Sequence, residues 1–202
     1  MSYLFLDTCH FITVGLLDRD FGWKKLIKTN NKKSSKEIHS IIDGLLREFS
    51  IEIKSLKGLI LINGPGSYTG IRVGEGVAQI FEWQKISVFS TYHFEIPQLV
   101  GISSGTWVCN AFKNEIFVYK WNEKDGIKSL IDKEKIADDL KSDDQLYTQY
   151  KNEKVLDLVF KNDSSTLIED FSNTLFNKIV KEKIRKEPFY FRRLEEEFRP
   201  SL

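Results

Sequence analysis

The sequence predicts an α/β protein whose first half folds as a mixed sheet with helices crossing over it. Three features carry that expectation: short apolar segments divided by turn residues near the N-terminus, an amphipathic helical pattern behind them, and a wholly apolar run that closes on a glycine-rich turn and opens into a second helix. Taken in order these elements read βββαβαβ. Hairpins in such an order are antiparallel, and each helical crossover returns a parallel strand with right-handed sense.

The first strand is Tyr3 to Asp7, the second Phe11 to Leu17 and the third Phe21 to Ile27, with Asp18, Arg19 and Asp20 as turn material. After the polar segment Asn30 to Lys33, Ser34 opens a capping box with Glu37. Behind it Ile38, Ile41, Ile42, Leu45, Leu46 and Phe49 recur at helical spacing, a helix of about four turns with one broad apolar face. His39 lies beside that face and reads as a hydrogen-bonding residue at the core's edge. Leu59 to Ile62 is a buried strand, followed by Asn63 to Gly74, NGPGSYTGIRVG, and a helix reaching about Gln84.

In that turn Gly64 and Gly66 permit positive φ and close backbone approach, Pro65 fixes its own φ, and Ser67 or Thr69 supplies the helix cap. A helix N-terminus there is a ready anion site. The turn is nevertheless no Walker motif, because Gly70 is followed by Ile71 and Arg72 where that motif needs lysine and a hydroxyl residue. Glycines within a helix cost roughly 1 kcal/mol each relative to alanine, so Gly70, Gly74 and Gly76 call for an offsetting contact. Gly70, Gly74 and Ala78, four apart, form a groove that admits a neighbouring helix or backbone from this chain or from a partner, while Ile71, Val77, Ile80 and Phe81 supply bulk.

Further on, Ile86 to Ser90 reads as a strand, Tyr92 to Val100 as a short helix or loop, and Trp107 to Phe112 with Ile116 to Trp121 as a hairpin. Asn122 to Lys154 is charged and weakly patterned, an exposed region with a short helix near Lys133 to Leu140. Val155 to Phe160 restores a strand, Leu167 to Ile184 a helix, and Pro188 to Phe191 an extended aromatic segment. The expected division is a first lobe over residues 1–100 and a reduced second lobe over 101–202.

The 202 residues suffice for one large domain or two small lobes, and a net charge of +1 gives no whole-molecule field toward nucleic acid or membrane. No stretch is long and apolar enough to span a bilayer and no basic, apolar leader opens the chain, so the expectation is a cytoplasmic protein without membrane contact. Cys9 and Cys109 suit reduced, buried thiols. The three histidines are too scattered for a helical metal site. Ser67 has no partner that suggests a peptidase triad. The chain is therefore expected to hold no metal and no catalytic set. Basic residues from Lys178 to Arg193, interleaved with Phe189, Tyr190 and Phe191, offer a local RNA-contact reading, partly cancelled by Glu195, Glu196 and Glu197.

The element order is that of an actin-like (ribonuclease-H-like, ASKHA) lobe, in which Asp7 and Thr8 fall where such lobes carry a phosphate-contacting aspartate. Leu6-Asp7-Thr8, His39, the run Gly64-Pro65-Gly66-Ser67-Tyr68-Thr69-Gly70-Ile71-Arg72 and the terminal Pro188-Phe189-Tyr190-Phe191-Arg192 together resemble the bacterial TsaB (YeaZ) family. That resemblance implies an actin-like fold and a non-catalytic role beside the paralogue TsaD, in threonylcarbamoyl transfer to the adenosine 3′ of the anticodon in certain tRNAs. It further implies TsaE as a component, a homodimer when TsaD is absent, tRNA contact through the complex, and no cofactor in this chain beyond ATP or ADP at the joint with TsaD. Docking through the first two helices would engage Ile38, Ile42, Leu45, Gly70, Arg72, Val73, Gly74 and Val77. Asp7, Thr8, Gly64, Gly66, Ser67 and Thr69 would be a vestigial nucleotide site, since Cys9 replaces the usual small hydroxyl residue and Asn110-Ala111-Phe112 the usual Asp-Ala-Arg. A stand-alone actin-like ATPase or small-molecule kinase is the alternative.

Overall fold

The structure is a computed structural model that describes residues 1–29, 37–112, 114–123, 125–141, 145–150, 153–156 and 158–191. Two units divide the chain: Met1–Tyr92 with Phe171–Phe189, and His93–Asp170 with the chain from Tyr190. The division thus differs from residues 1–100 and 101–202, because the segment from Phe171 returns to the first unit.

In the first unit β1 (Tyr3–Asp7), β2 (Thr13–Leu17), β3 (Trp23–Lys28), β4 (Gly58–Ile62) and β5 (Ser87–Thr91) form one sheet in the order β3-β2-β1-β4-β5. The meander is antiparallel, and β4 and β5 run parallel to β1, with Leu6 opposite Leu61 and Leu61 opposite Ser90. Strand alternation sends Leu4, Leu6, Leu59 and Leu61 to one face, where they pack with Ile38, Ile42, Leu45 and Leu46 of α1 (Ile38–Glu48) and Val77, Ala78 and Phe81 of α2 (Tyr68–Trp83). Phe5 points to the opposite face, with ring contacts to Trp23 and to Phe176 of α6 (Ser172–Lys181). Apolar packing on both faces is why β1 and β4 read as nearly unbroken apolar runs.

Helix α1 begins at Ile38, with Glu37 at its N-cap and no side-chain cap bond, and is shorter than the four turns expected. Ser34 and its capping box lie outside the described residues. His39 is exposed rather than at the core's edge.

The second unit holds β6 (Gly105–Asn110), β7 (Glu115–Trp121), β8 (Gly126–Asp132), β9 (Leu146–Thr148) and β10 (Asn162–Asp163), in the order β10-β9-β6-β7-β8. One face carries Val108, Ile116, Val118 and Leu146, packed with Ile136 and Leu140 of α4 (Lys133–Lys141). The other carries Trp107, Phe117, Tyr119 and Trp121, against Phe94 before α3 (Ile96–Leu99). The hairpin of β6 and β7 and helix α4 fall where the sequence puts them. Strands β8 and β9 arise within the stretch read as weakly patterned, since β8 is an edge strand whose mostly exposed residues need no apolar alternation. Among the described residues of Val155 to Phe160 there is no strand: Val155 and Phe160 pack into the core as loop residues. The helix expected from Leu167 to Ile184 is two, α5 (Ser164–Asp170) and α6, parted at Phe171.

The carboxylate of Glu153 accepts a hydrogen bond from Thr148 Oγ1 at 2.8 Å. Burial pushes its pKa above the ordinary glutamate range despite that bond and the backbone N–H groups of Asn110 and Gln149. A folded value above the unfolded one places this group's stabilising contribution fully below about pH 4.3 and removes it as pH rises through the folded value. Thermal unfolding at a series of pH values should therefore show Glu153→Gln reducing the loss of stability on the alkaline side of that range.

Candidate functional site

The glycine turn and the first two helices gather the residues singled out in the sequence. At the end of β1, Asp7 is buried and its Oδ1 accepts from the Cys9 N–H at 2.9 Å. Thr8 Oγ1 donates to the Gly70 carbonyl at 2.7 Å, and the Ser67 N–H donates to the Cys9 carbonyl at 2.6 Å. Ser67 Oγ caps α2, accepting from the Gly70 N–H at 3.4 Å. Gly64, at φ +116° and in cis linkage to Pro65, lets the Phe189 backbone approach. A Cβ on Gly66 or Gly70 would collide with the carbonyl oxygens of Cys9 and Thr8.

The turn thus closes on the β1–β2 connection of its own chain. Ser67 and Gly70 spend polar groups on Cys9 and Thr8, while Thr69 is exposed. Burial, with Asp7 adding, raises the Cys9 thiol well above its ordinary pKa, so it stays protonated and poorly nucleophilic at neutral pH.

The helix pair departs from the docking residues expected. Ile38, Ile42, Leu45 and Val77 belong to the core beneath the sheet, and Gly74 faces Thr8 Oγ1 and Leu61. The groove of Gly70 and Gly74 is therefore filled from within by Thr8. The physical reason is that a helix's strongest apolar stripe turns to the nearest large apolar surface, here its own sheet. Of the expected set, Arg72 is exposed, lying over the Tyr68 ring and donating from Nη1 to Tyr68 Oη at 2.9 Å, and Val73 is half-buried.

The outward face of α2 carries what that reading missed. Gly76, Ile80 and Trp83 recur at i, i+4 and i+7, with Ile80 40% and Trp83 77% exposed, whereas Val73 packs against the core. Added side chains at Gly76 on α2 and Gly44 on α1 would meet nothing within 4 Å. The signal was present in the sequence, because α2 is apolar around more of its circumference than one buried face requires.

A third group flanks α2. Ile184–Phe189 runs beside β5: the Ser90 N–H donates to the Ile184 carbonyl at 2.9 Å, the Lys186 N–H to Ser90 Oγ at 2.6 Å, and the Phe189 N–H to the Asn63 carbonyl at 2.9 Å. Arg185 bridges α2, with Nη2 2.6 Å from Glu75 Oε1 and Nε 3.1 Å from Glu82 Oε1. Asn63 Nδ2 donates to Glu75 Oε2 at 2.9 Å and to the Lys186 carbonyl at 3.0 Å. Hydrogen bonds and charge from Glu75 and Glu82 overcome the opposing effect of burial and raise the Arg185 pKa. Within the basic run Lys178, Lys181 and Lys183 are exposed, but Arg185 is paired and Lys186 lies over the Tyr92 ring. Arg192, Arg193 and the three glutamates after them lie outside the described residues.

A family model described as TsaD, tRNA N6-adenosine threonylcarbamoyltransferase, matches residues 28–95. The tRNA threonylcarbamoyladenosine biosynthesis protein TsaB of Bacillus subtilis (strain 168) is 29% identical over 84 residues, a match covering 41% of this chain and 37% of that protein's length. Among solved structures, an uncharacterized Pseudomonas aeruginosa protein with similarity to peptidase YeaZ superposes with a TM-score of 0.64 at 14% identity, over 95% of this chain and 99% of that one. YeaZ from Pseudomonas aeruginosa superposes with a TM-score of 0.53 at 17% identity, over 66% of this chain and 68% of that one. These two share the fold.

Proposed function

We propose that this chain, a member of the TsaB (YeaZ) family, serves tRNA threonylcarbamoyladenosine biosynthesis as an accessory subunit that docks on a TsaD-type partner. One observation carries the docking reading. Gly76 sits inside α2 with open space around it, on the outward row that ends in Ile80 and Trp83, and Gly44 is equally open on α1. A helix glycine costs roughly 1 kcal/mol against alanine, and among the described residues nothing offsets that cost at either position. An exposed tryptophan on the same helix face as a bare glycine suits a helical partner whose side chains fill the bare patch and whose surface covers the ring.

The active chemistry belongs to the partner in this reading, because the glycine turn is spent on Thr8 and Cys9 and Cys9 is held as a thiol. ATP or ADP would sit at the joint with TsaD. TsaE would join the assembled complex, tRNA would be met through it, and a second copy of this chain would cover the same helices when TsaD is absent. The setting is the cytoplasm, in keeping with the absence, among the described residues, of a helix long and apolar enough to cross a membrane.

The test is association. Trp83→Arg should weaken binding to TsaD from the same cell by on the order of a hundredfold, the scale of an interface hot spot, while thermal unfolding of the free chain stays unchanged. Unaltered co-purification of the variant would remove this face from the reading. Micromolar binding of ATP and magnesium by the isolated chain, read by calorimetry, would instead favour a stand-alone ATPase or kinase.

A further inference from the structure

Strand β8 is the outer strand of the second unit's sheet, and among the described residues no strand pairs with its far side. Its neighbour β7 fixes which backbone groups face out. The Asn122 N–H donates to the Asp125 carbonyl and the Lys133 N–H to the Asn114 carbonyl, both at 2.9 Å. Both pairs continue the antiparallel register that sets Trp121 opposite Gly126 and Glu115 opposite Asp132. Bonded and non-bonded pairs alternate along such a ladder. Ile127, Ser129 and Ile131 therefore spend their N–H and C=O groups on β7, whereas Gly126, Lys128, Leu130 and Asp132 turn theirs outward.

An edge of this kind is a template for another strand unless it is guarded. The outer strands of the first sheet are guarded: β3 carries Lys24, Lys25 and Lys28 and a register shift against β2, and Ile184–Phe189 runs along β5. Strand β8 is seven residues long, with no proline, an unbroken register and one lysine. Gly126, Ile127, Lys128 and Leu130 are exposed, Ile127 by 69%, so another chain can reach this edge.

The outward residues complement themselves. Two copies related by a two-fold axis set outward residues opposite outward residues, and the fullest overlaps centre on Lys128, Ser129 or Leu130. A centre at Lys128 opposes two lysines, and one at Ser129 sets Lys128 against Leu130 and Asp132 against Gly126. A centre at Leu130 sets Lys128 opposite Asp132 on both sides of a Leu130 pair. Opposite charges directly across a strand pair stabilise it, and like charges destabilise it. Asp132 Oδ1 accepts from the Glu134 N–H at 3.0 Å and from Asn114 Nδ2 at 3.4 Å, which holds the carboxylate at the strand's end. Lys128 Nζ rests 4.9 Å from the Phe94 ring centroid, on an exposed stem that can swing to the second copy.

We propose that β8 pairs antiparallel with β8 of a second copy of this chain, across a two-fold axis at Leu130, joining two five-stranded sheets into one. This dimer uses no residue of α1 or α2 and stands independently of the docking reading.

Sedimentation velocity of the full chain over a concentration series tests the pairing, in the Trp83→Arg background so that association through α2 does not contribute. That chain should dimerise reversibly. Leu130→Pro should return it to monomer with an unchanged near-ultraviolet circular dichroism spectrum, because a proline whose position turns its N–H outward removes no bond to β7. Lys128→Asp, at an exposed side chain, should weaken dimerisation by roughly tenfold, since carboxylates then face each other at both ends of the pair. An equimolar mixture of Lys128→Asp and Asp132→Lys chains should recover the affinity that each lacks alone, because every cross-strand pair again joins opposite charges.

A Trp83→Arg chain that stays monomeric at every concentration overturns the proposal, as does a dimer indifferent to Leu130→Pro and Lys128→Asp. A dimer lost in Leu130→Pro with no recovery in the mixture overturns the axis at Leu130. If Leu130→Pro loses the native spectrum, Lys128→Asp and the mixture decide alone.

Discussion

Val77→Arg is expected to unfold the first unit rather than merely to undock a partner. Val77 is 5% exposed and packs in one cluster with Leu4, Leu61, Ala78 and Phe81. A guanidinium placed there either stays buried without an acceptor or forces α2 off the sheet. An unpaired buried charge costs roughly 3–5 kcal/mol, against a total stability of about 5–15 kcal/mol for a domain. Urea unfolding followed by circular dichroism should show the midpoint falling sharply or the native baseline missing. Ile80→Arg, on the outward row of the same helix, should unfold like the unsubstituted chain. A native-like midpoint for Val77→Arg would mean that α2 does not seat on the sheet as described.

Gly66→Ala should produce the second large loss. A Cβ at this position meets the Cys9 carbonyl oxygen, with Cys9 Cβ at 2.6 Å and its carbonyl carbon at 2.7 Å. Cys9 has little freedom to retreat: its N–H is bonded to Asp7, its Sγ donates to the Ile62 carbonyl at 3.4 Å, and its carbonyl accepts from Ser67. Relief requires the turn to lift away from the β1–β2 connection, breaking the Ser67–Cys9 bond and straining the Thr8–Gly70 bond. Overpacking and broken buried hydrogen bonds together amount to roughly 2–4 kcal/mol. Thermal unfolding is the measurement. Gly76→Ala is the control, and with open space around it should stabilise the free chain by roughly 0.5–1 kcal/mol. A neutral Gly66→Ala would mean that the turn closes on nothing.

These substitutions also mark where the sequence was legible. The βββαβαβ order, the glycine turn and the apolar face of α1 could be read directly because strand and helix periods, together with glycine and proline, report local backbone geometry. What the sequence leaves open is which of two apolar faces on a helix meets its own sheet. In α2, Val77 and Ile80 look alike as residues, and only the sheet decides that Val77 goes in and Ile80 out. The glycines divide in the same way: Gly70 and Gly74 are occupied by Thr8, whereas Gly76 is bare. Strands β8 and β9 were hidden because an edge strand such as β8 and a strand of three residues such as β9 carry too little alternation to register. Arg185 looked like one more basic residue near the C-terminus, since its acidic partners lie 110 and 103 positions away in sequence.

The return of Phe171–Phe189 to the first unit sets an order of assembly. A ribosome delivers every strand of the first sheet early, yet the helix that covers Phe5 and Trp23 emerges only after the whole of β6 to β10 has been made. Until Phe176 arrives, the nascent chain holds an uncovered aromatic surface, the kind that recruits chaperones. A chain cut at Asp170 would retain the complete docking face and yet never bury that surface, making it an aggregation-prone product rather than a minimal binding domain.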